Sequence, residues 1–251
     1  MRLFSSQHTV HKPQPHLTHE RIQSIDIIRG FDIVLMILFN YSVTLSYFRL
    51  INMPPDFLYR FVFPRAIASV FIFISGVAAY VGFEKSKENF SKRYYIRGVK
   101  LLVFAMLITL FTYIFVPAGT VYFGILHFFA VSSFIVPFFI KYNKLNLIAG
   151  LIIAFPGFYL QLTDFDFPYL FWLGFIPENF STFDYFPLIP WLGVLMLGVY
   201  SGRYVVERTV NIKSGKLAGI FTVIGKNSLA IYLIHQPVLV LLLMILGFKI
   251  F

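Results

Sequence analysis

The chain alternates long apolar runs with short polar joints, and the length of the runs decides the fold class. A helix rises about 1.5 Å per residue, so about twenty mostly apolar residues cross the hydrocarbon of a bilayer. Spans are predicted on this basis from about Ile25 to Phe48, Leu58 to Phe83, a third ending near Val116, Val121 to Ile140, Leu145 to Leu162, Phe186 to Val205 and Asn227 to Ile250. The Pro pair in RLINMPPDF cannot continue a helix and turns the chain after the first span. PAGT and KYNK make the tight joints on either side of the fourth. Pro156 and Gly157 interrupt the fifth. The apolar insert PYLFWLGF is too short to span and is either re-entrant or interfacial. The pattern predicts an all-α polytopic transmembrane bundle of about seven spans. Residues 23–251 form one domain without internal repeats, and residues 1–22, polar and lacking the apolar core of a signal peptide, form a disordered cytoplasmic tail.

Composition agrees with this reading. Hydrophobic residues make up 58% and charged residues 13% of the 251 positions, and the mean hydropathy of +0.77 lies outside the range of a soluble domain. The net charge of +10 comes from clusters, so it reads as topology rather than as a nucleic-acid footprint. Lys85, Lys87, Lys92, Arg93, Arg97 and Lys100 flank one joint, and Arg203, Arg208, Lys213, Lys216 and Lys226 flank another. The stretch from Thr163 to Pro187 carries Asp164, Asp166, Glu178 and Asp184 but no Lys or Arg. Positive-inside bias then puts the N-terminus in, the C-terminus out and that acidic loop outside, with Arg49 and Arg60 as outer exceptions. The chain has no cysteine, which removes disulfides, thiolate metal sites and cysteine nucleophiles. Motifs for a P-loop, a dinucleotide fold, a zinc protease or a carboxylate metal cluster are missing, so no metal is expected.

Chemistry is sought where polar groups interrupt the spans, because burying them in lipid is costly and usually marks function. The first span, within Arg21 to Tyr47, carries Asp26, Arg29, Asp32 and Asn40. Arg29 and Asn40 are close to three turns apart and share a face, a cation near one membrane surface and an amide near the midplane. Arg65, His127 and His235 fall at comparable depths and would join Asn40 around one chamber if all turned inward. Each also has a plain structural role open to it. His235 can satisfy a carbonyl freed by Pro237, His127 and Asn40 can bridge neighbouring helices, and Asp26 can pair with Arg29 at the surface. At the inner end, Arg29, Arg97, Lys100 and Lys226 would ring the mouth and attract lipid headgroups or a polyphosphate ligand.

The segments RIQSIDIIRGFDIVLMILFNY, FGILHFF, DYFPLIPWLGVLMLGVYSG and IGKNSLAIYLIHQP together resemble the heparan-alpha-glucosaminide N-acetyltransferase catalytic-domain family. The likeness is to a short, prokaryotic-type member of this branch of the transmembrane acyltransferase superfamily. It covers nearly all the chain after Arg21. It implies transfer of an acyl group, in this family acetyl, from cytoplasmic acyl-CoA to a hydroxyl or amine acceptor on the other side of the cell membrane. In the related acyltransferase-three family an Arg of the first helix is followed by a His; Arg29 matches that Arg, and Asn40 stands where the His would be. In the lysosomal N-acetyltransferase this position is also Asn, and a catalytic His follows eleven residues later, where this chain has Ile51. A matched His in the family's last helix corresponds to His235.

The resemblance and the residues together give a set of expectations. Asn40, His127 and His235 are catalytic, with His127 as general base in place of the missing His and Asn40 as donor to the thioester oxygen. Arg29, Arg97, Lys100 and Lys226 hold acyl-CoA, while Asp26, Arg65, Asp184 and Trp191 are structural or touch substrate. Expected partners are acyl-CoA, a glycan or lipid-linked acceptor and membrane lipids, with a homodimer compatible and nucleic acid not expected. The alternatives from other classes are a non-catalytic relative acting as transporter or lipid-binding protein, and a purely structural subunit.

Overall fold

The computed structural model describes residues 23–54, 56–207 and 215–248. The N-terminal tail, Arg208 and Lys213 lie outside these. Helix α1 runs Gln23–Tyr47 and α2 runs Phe63–Lys85, extended at its start by a π-helical turn, Leu58–Val62. They are followed by α3, Phe90–Phe115, α4, Ile125–Phe139, and α5, Asn143–Leu160. After the long loop come α6, Leu188–Glu207, α7, Lys216–Lys226, and α8, Ser228–Ile245. Six helices are long and apolar enough to cross a membrane, and α4 is a shorter apolar helix. The all-α polytopic bundle is thus what the structure shows, with α4 four residues later in starting than the apolar run suggests. Those residues, around Val121 to Gly124, leave the helix to meet the loop, Phe123 bridging Tyr185.

Why the bundle closes is visible in its small residues. Lipid offers apolar surface as good as another helix does, so helices associate where their backbones can come close. Gly30 on α1 and Gly225 on α7 face each other so closely that a Cβ on Gly225 would lie 1.8 Å from the Asp26 carbonyl oxygen. Gly76 and Gly198 do the same for α2 and α6, where a Cβ on Gly198 would lie 2.0 Å from the Phe73 carbonyl. The largest buried side chain, Trp191 of α6, sits between Phe158 and Phe186 at ring distances of 5.5 and 5.1 Å.

The insert PYLFWLGF neither spans nor dips as a helix. It forms a chain of turns held by two short parallel strands, β1 at Asp164–Phe165 and β2 at Ile176–Pro177. Its backbone then docks onto the start of α6, Leu188 and Ile189 donating to the carbonyls of Trp172 and Leu173 at 2.9 and 2.8 Å. This loop becomes a lid over one end of the bundle.

Candidate functional site

Two polar centres occupy the two ends of the bundle. At the end bearing the basic joints, Arg29 Nη2 donates to Ser228 Oγ at 3.2 Å, and its guanidinium lies 5.9 Å from the Phe71 ring. Arg97 reaches in from α3 over Tyr94 and Phe129, at 5.4 and 5.9 Å from their centroids. Tyr94 lies within the electrostatic reach of Arg29, Arg93 and Arg97. Beside it is a cavity of about 10 Å³ lined by Ser75, Tyr94, Arg97, Ser132 and Ser133 among others. Ser132 Oγ there is buried and has no hydrogen-bond partner among the described residues. Of the expected ring of cations, the structure brings Arg29 and Arg97 together and leaves Lys100 and Lys226 exposed on the surface. Asp26 is buried beside the crossing of α1 and α7, its Oδ2 without a hydrogen-bond partner among the described residues.

The second centre lies nearer the lid. Asn40 Nδ2 is 3.2 Å from His235 Nε2, and the Tyr41 hydroxyl donates to the His235 carbonyl at 2.9 Å. The other ring nitrogen, Nδ1, lies 2.5 Å from the Tyr232 carbonyl, which can only accept. Nδ1 therefore carries the proton, and Nε2 presents its lone pair to the amide of Asn40. Tyr232 is itself held, its hydroxyl donating to Asp184 Oδ2 at 3.2 Å, and the same oxygen accepts the Ile125 N–H at 2.9 Å. One carboxylate thus joins the lid loop, the start of α4 and α8. Its position at a helix N-terminus satisfies a donor that has no partner within the helix. Burial pushes the Asp184 carboxyl up to about 6, while its two donors pull the other way. Burial likewise raises the neighbouring Tyr185 phenol.

His127 is held by partners of its own. Its Nδ1 accepts the Gly124 N–H at 3.2 Å, and its Nε2 lies 3.2 Å from Thr109 Oγ1, whose hydroxyl donates to the Val121 carbonyl at 2.7 Å. Both ring nitrogens are used in fastening the first turn of α4 to α3. Among the described residues the Asn40 side chain meets His235, while His127 bonds Gly124 and Thr109. Helix rise gives depth along a span, but the face a residue turns inward is set by packing. Arg65 is separate again, donating from Nε to Gln161 Oε1 at 3.1 Å and from Nη1 to the Phe61 carbonyl at 3.2 Å. Sequence reasoning missed Tyr232, Tyr94, Ser228 and Gln161. Tyr232 carried a usable signal, since it stands three residues before His235 and so shares its helix face.

A helical bundle with six long apolar helices and a part-buried amide–imidazole contact between two of them describes a multi-pass membrane protein. The family model for heparan-alpha-glucosaminide N-acetyltransferase, catalytic, matches residues 21–237, and the chain belongs to that family. The family is that of a membrane acetyltransferase. No curated protein and no solved structure matches the chain.

Proposed function

We propose that the protein moves an acetyl group from cytoplasmic acyl-CoA to a hydroxyl or amine of a glycan or lipid-linked acceptor on the extracytoplasmic side of the cell membrane. The observation that carries this reading is the Asn40–His235 contact with its tautomer fixed by Tyr232. Arg29 and Arg97 hold the CoA phosphates at the basic mouth, Arg29 from a helix shared with Asn40. His235 Nε2, neutral and with its lone pair free once Asn40 turns aside, takes the proton of the acceptor as its oxygen or nitrogen attacks the thioester carbonyl. Asn40 donates its amide N–H to the carbonyl oxygen as negative charge builds there. The carbon–sulfur bond then breaks, and the CoA thiolate leaves with the proton His235 had taken. His127 keeps a positioning role through α4.

The test is binding and transfer measured on the same preparation with labelled acetyl-CoA. His235→Gln should bind acetyl-CoA as before and lose about 10²-fold or more in transfer. Asn40→Ala should lose about 10²- to 10³-fold. A specific observation favours a second reading, a non-catalytic relative serving as transporter or lipid-binding protein: Ile51, 40% exposed, stands where the resemblance places a catalytic His. Purified protein that ignores acetyl-CoA would establish that second reading.

A further inference from the structure

Arg65 lies at the lid end of the bundle and has no counter-ion among the described residues. Among the described residues its hydrogen-bond acceptors are the side-chain oxygen of Gln161 and the carbonyl of Phe61, both neutral. Its guanidinium lies 3.4 Å from the Phe61 ring centroid, another neutral contact that fixes its plane. Asp56 accepts the Tyr59 N–H, Asp184 accepts from Ile125 and Tyr232, and no ion pair of Arg65 with a carboxylate is formed among the described residues. Desolvating a cation costs several kcal/mol unless an anion offsets it.

The second observation is independent of the first. Gln161 is 6% exposed, and its Nε2 is buried with no hydrogen-bond partner among the described residues. The amide cannot be turned round to relieve this, because Arg65 Nε would then face another donor. Two hydrogen-bonded side chains therefore hold donors with no acceptor among the described residues, Nη2 of Arg65 and Nε2 of Gln161. Donors without acceptors, one of them cationic, specify an oxyanion.

We infer that Arg65 and Gln161 form a binding site for a phosphate- or sulfate-class anion at the lid end of the bundle. The anion comes either from a lipid headgroup or from an acidic group on a soluble molecule arriving from that side. The site stands apart from the acetyl-transfer reading, which rests on Asn40 and His235, and binding tests it whether or not transfer occurs.

The full chain is purified and titrated separately with sodium sulfate and with phosphatidylglycerol, phosphatidylcholine serving as the neutral lipid control. Affinity is read from thermal stabilisation and, for the lipid, from native mass spectrometry. Wild type should bind at least one anionic probe, and Arg65→Gln should weaken it about tenfold or more, the effect of losing a charge-assisted bond. Stabilisation by sulfate assigns the site to a soluble anion, and by phosphatidylglycerol alone to a headgroup. Should Arg65→Gln fail to fold, Arg65→Lys and Gln161→Leu serve, each expected to weaken binding several-fold. Wild type that binds neither probe, or variants that bind as wild type does, would overturn the site. Acetyl-CoA binding, unchanged in Gln161→Leu, keeps this outcome distinct from failure of the transfer reading.

Discussion

Replacing Gly225 by Ala probes the close crossing that sets the basic mouth. The added Cβ would meet the Asp26 carbonyl oxygen at 1.8 Å and the Gly30 nitrogen at 3.0 Å, backbone atoms that cannot rotate away. A carbon and an oxygen need about 3.3 Å, so α1 and α7 must part by roughly 1.5 Å. Overpacking of this kind costs about 1 to 3 kcal/mol, or roughly 3 to 10 °C in melting temperature for a chain of this size. The same parting stretches the 3.2 Å bond from Arg29 to Ser228 beyond hydrogen-bond range. Acetyl-CoA binding should therefore weaken about tenfold. Gly219 provides the internal control, because it lies in the same helix and a Cβ there meets nothing within 4 Å. Gly219→Ala should leave the melting temperature unchanged or raise it, by up to about 1 kcal/mol of helix propensity. Thermal melting followed by size-exclusion chromatography, with labelled acetyl-CoA binding alongside, reads both. Equal behaviour of the two variants would refute the argument from the crossing.

Three further outcomes are expected. His127→Leu should destabilise the protein by about 1 to 3 kcal/mol, since it strands the Gly124 N–H, whereas His127→Gln, able to accept that bond, should retain most stability and transfer; loss of transfer in a well-folded His127→Gln would restore His127 as a base. Asp184 titrates near 6 folded against 3.8 unfolded, so the folded state binds its proton more tightly; stability should be highest below about pH 4 and fall, by on the order of 3 kcal/mol, as pH rises through 6, a slope that Asp184→Asn abolishes in pH-dependent melting. Cysteines introduced at Ser91 and Ser181, in a chain with none of its own, should label from opposite sides of the membrane in intact cells, and labelling of both by an impermeant reagent would overturn the assigned topology.

The architecture was legible in the sequence because it rests on run length and charge, both of which are local. The Leu58 to Lys85 helix and the turn at RLINMPPDF follow directly from apolar length and proline chemistry. The candidate site was legible in depth but not in direction. Asn40, Arg65, His127 and His235 were placed at comparable levels, and their hydrogen-bond partners are His235, Gln161 and Phe61, Gly124 and Thr109, and Asn40 and Tyr232 respectively. Arg97 lies over the Tyr94 and Phe129 rings while Lys100, three residues beyond it, is exposed, although the sequence treats both cations alike. A single residue's facing depends on neighbours hundreds of positions away, and no spacing rule encodes it.

The Asn40–His235 contact joins residues 195 positions apart in the chain, one on α1 and the other on α8. A ribosome feeding this chain into a membrane therefore delivers one half of the pair with the first helix and the other only after six more helices have followed it. Until α8 is seated, Asn40 has no imidazole to meet and Ser228 is not yet there to receive Arg29. An immature chain can thus fill the membrane with most of its helices while holding neither centre in working form. Assembly of the amide–imidazole contact is deferred to the end of biogenesis by connectivity alone.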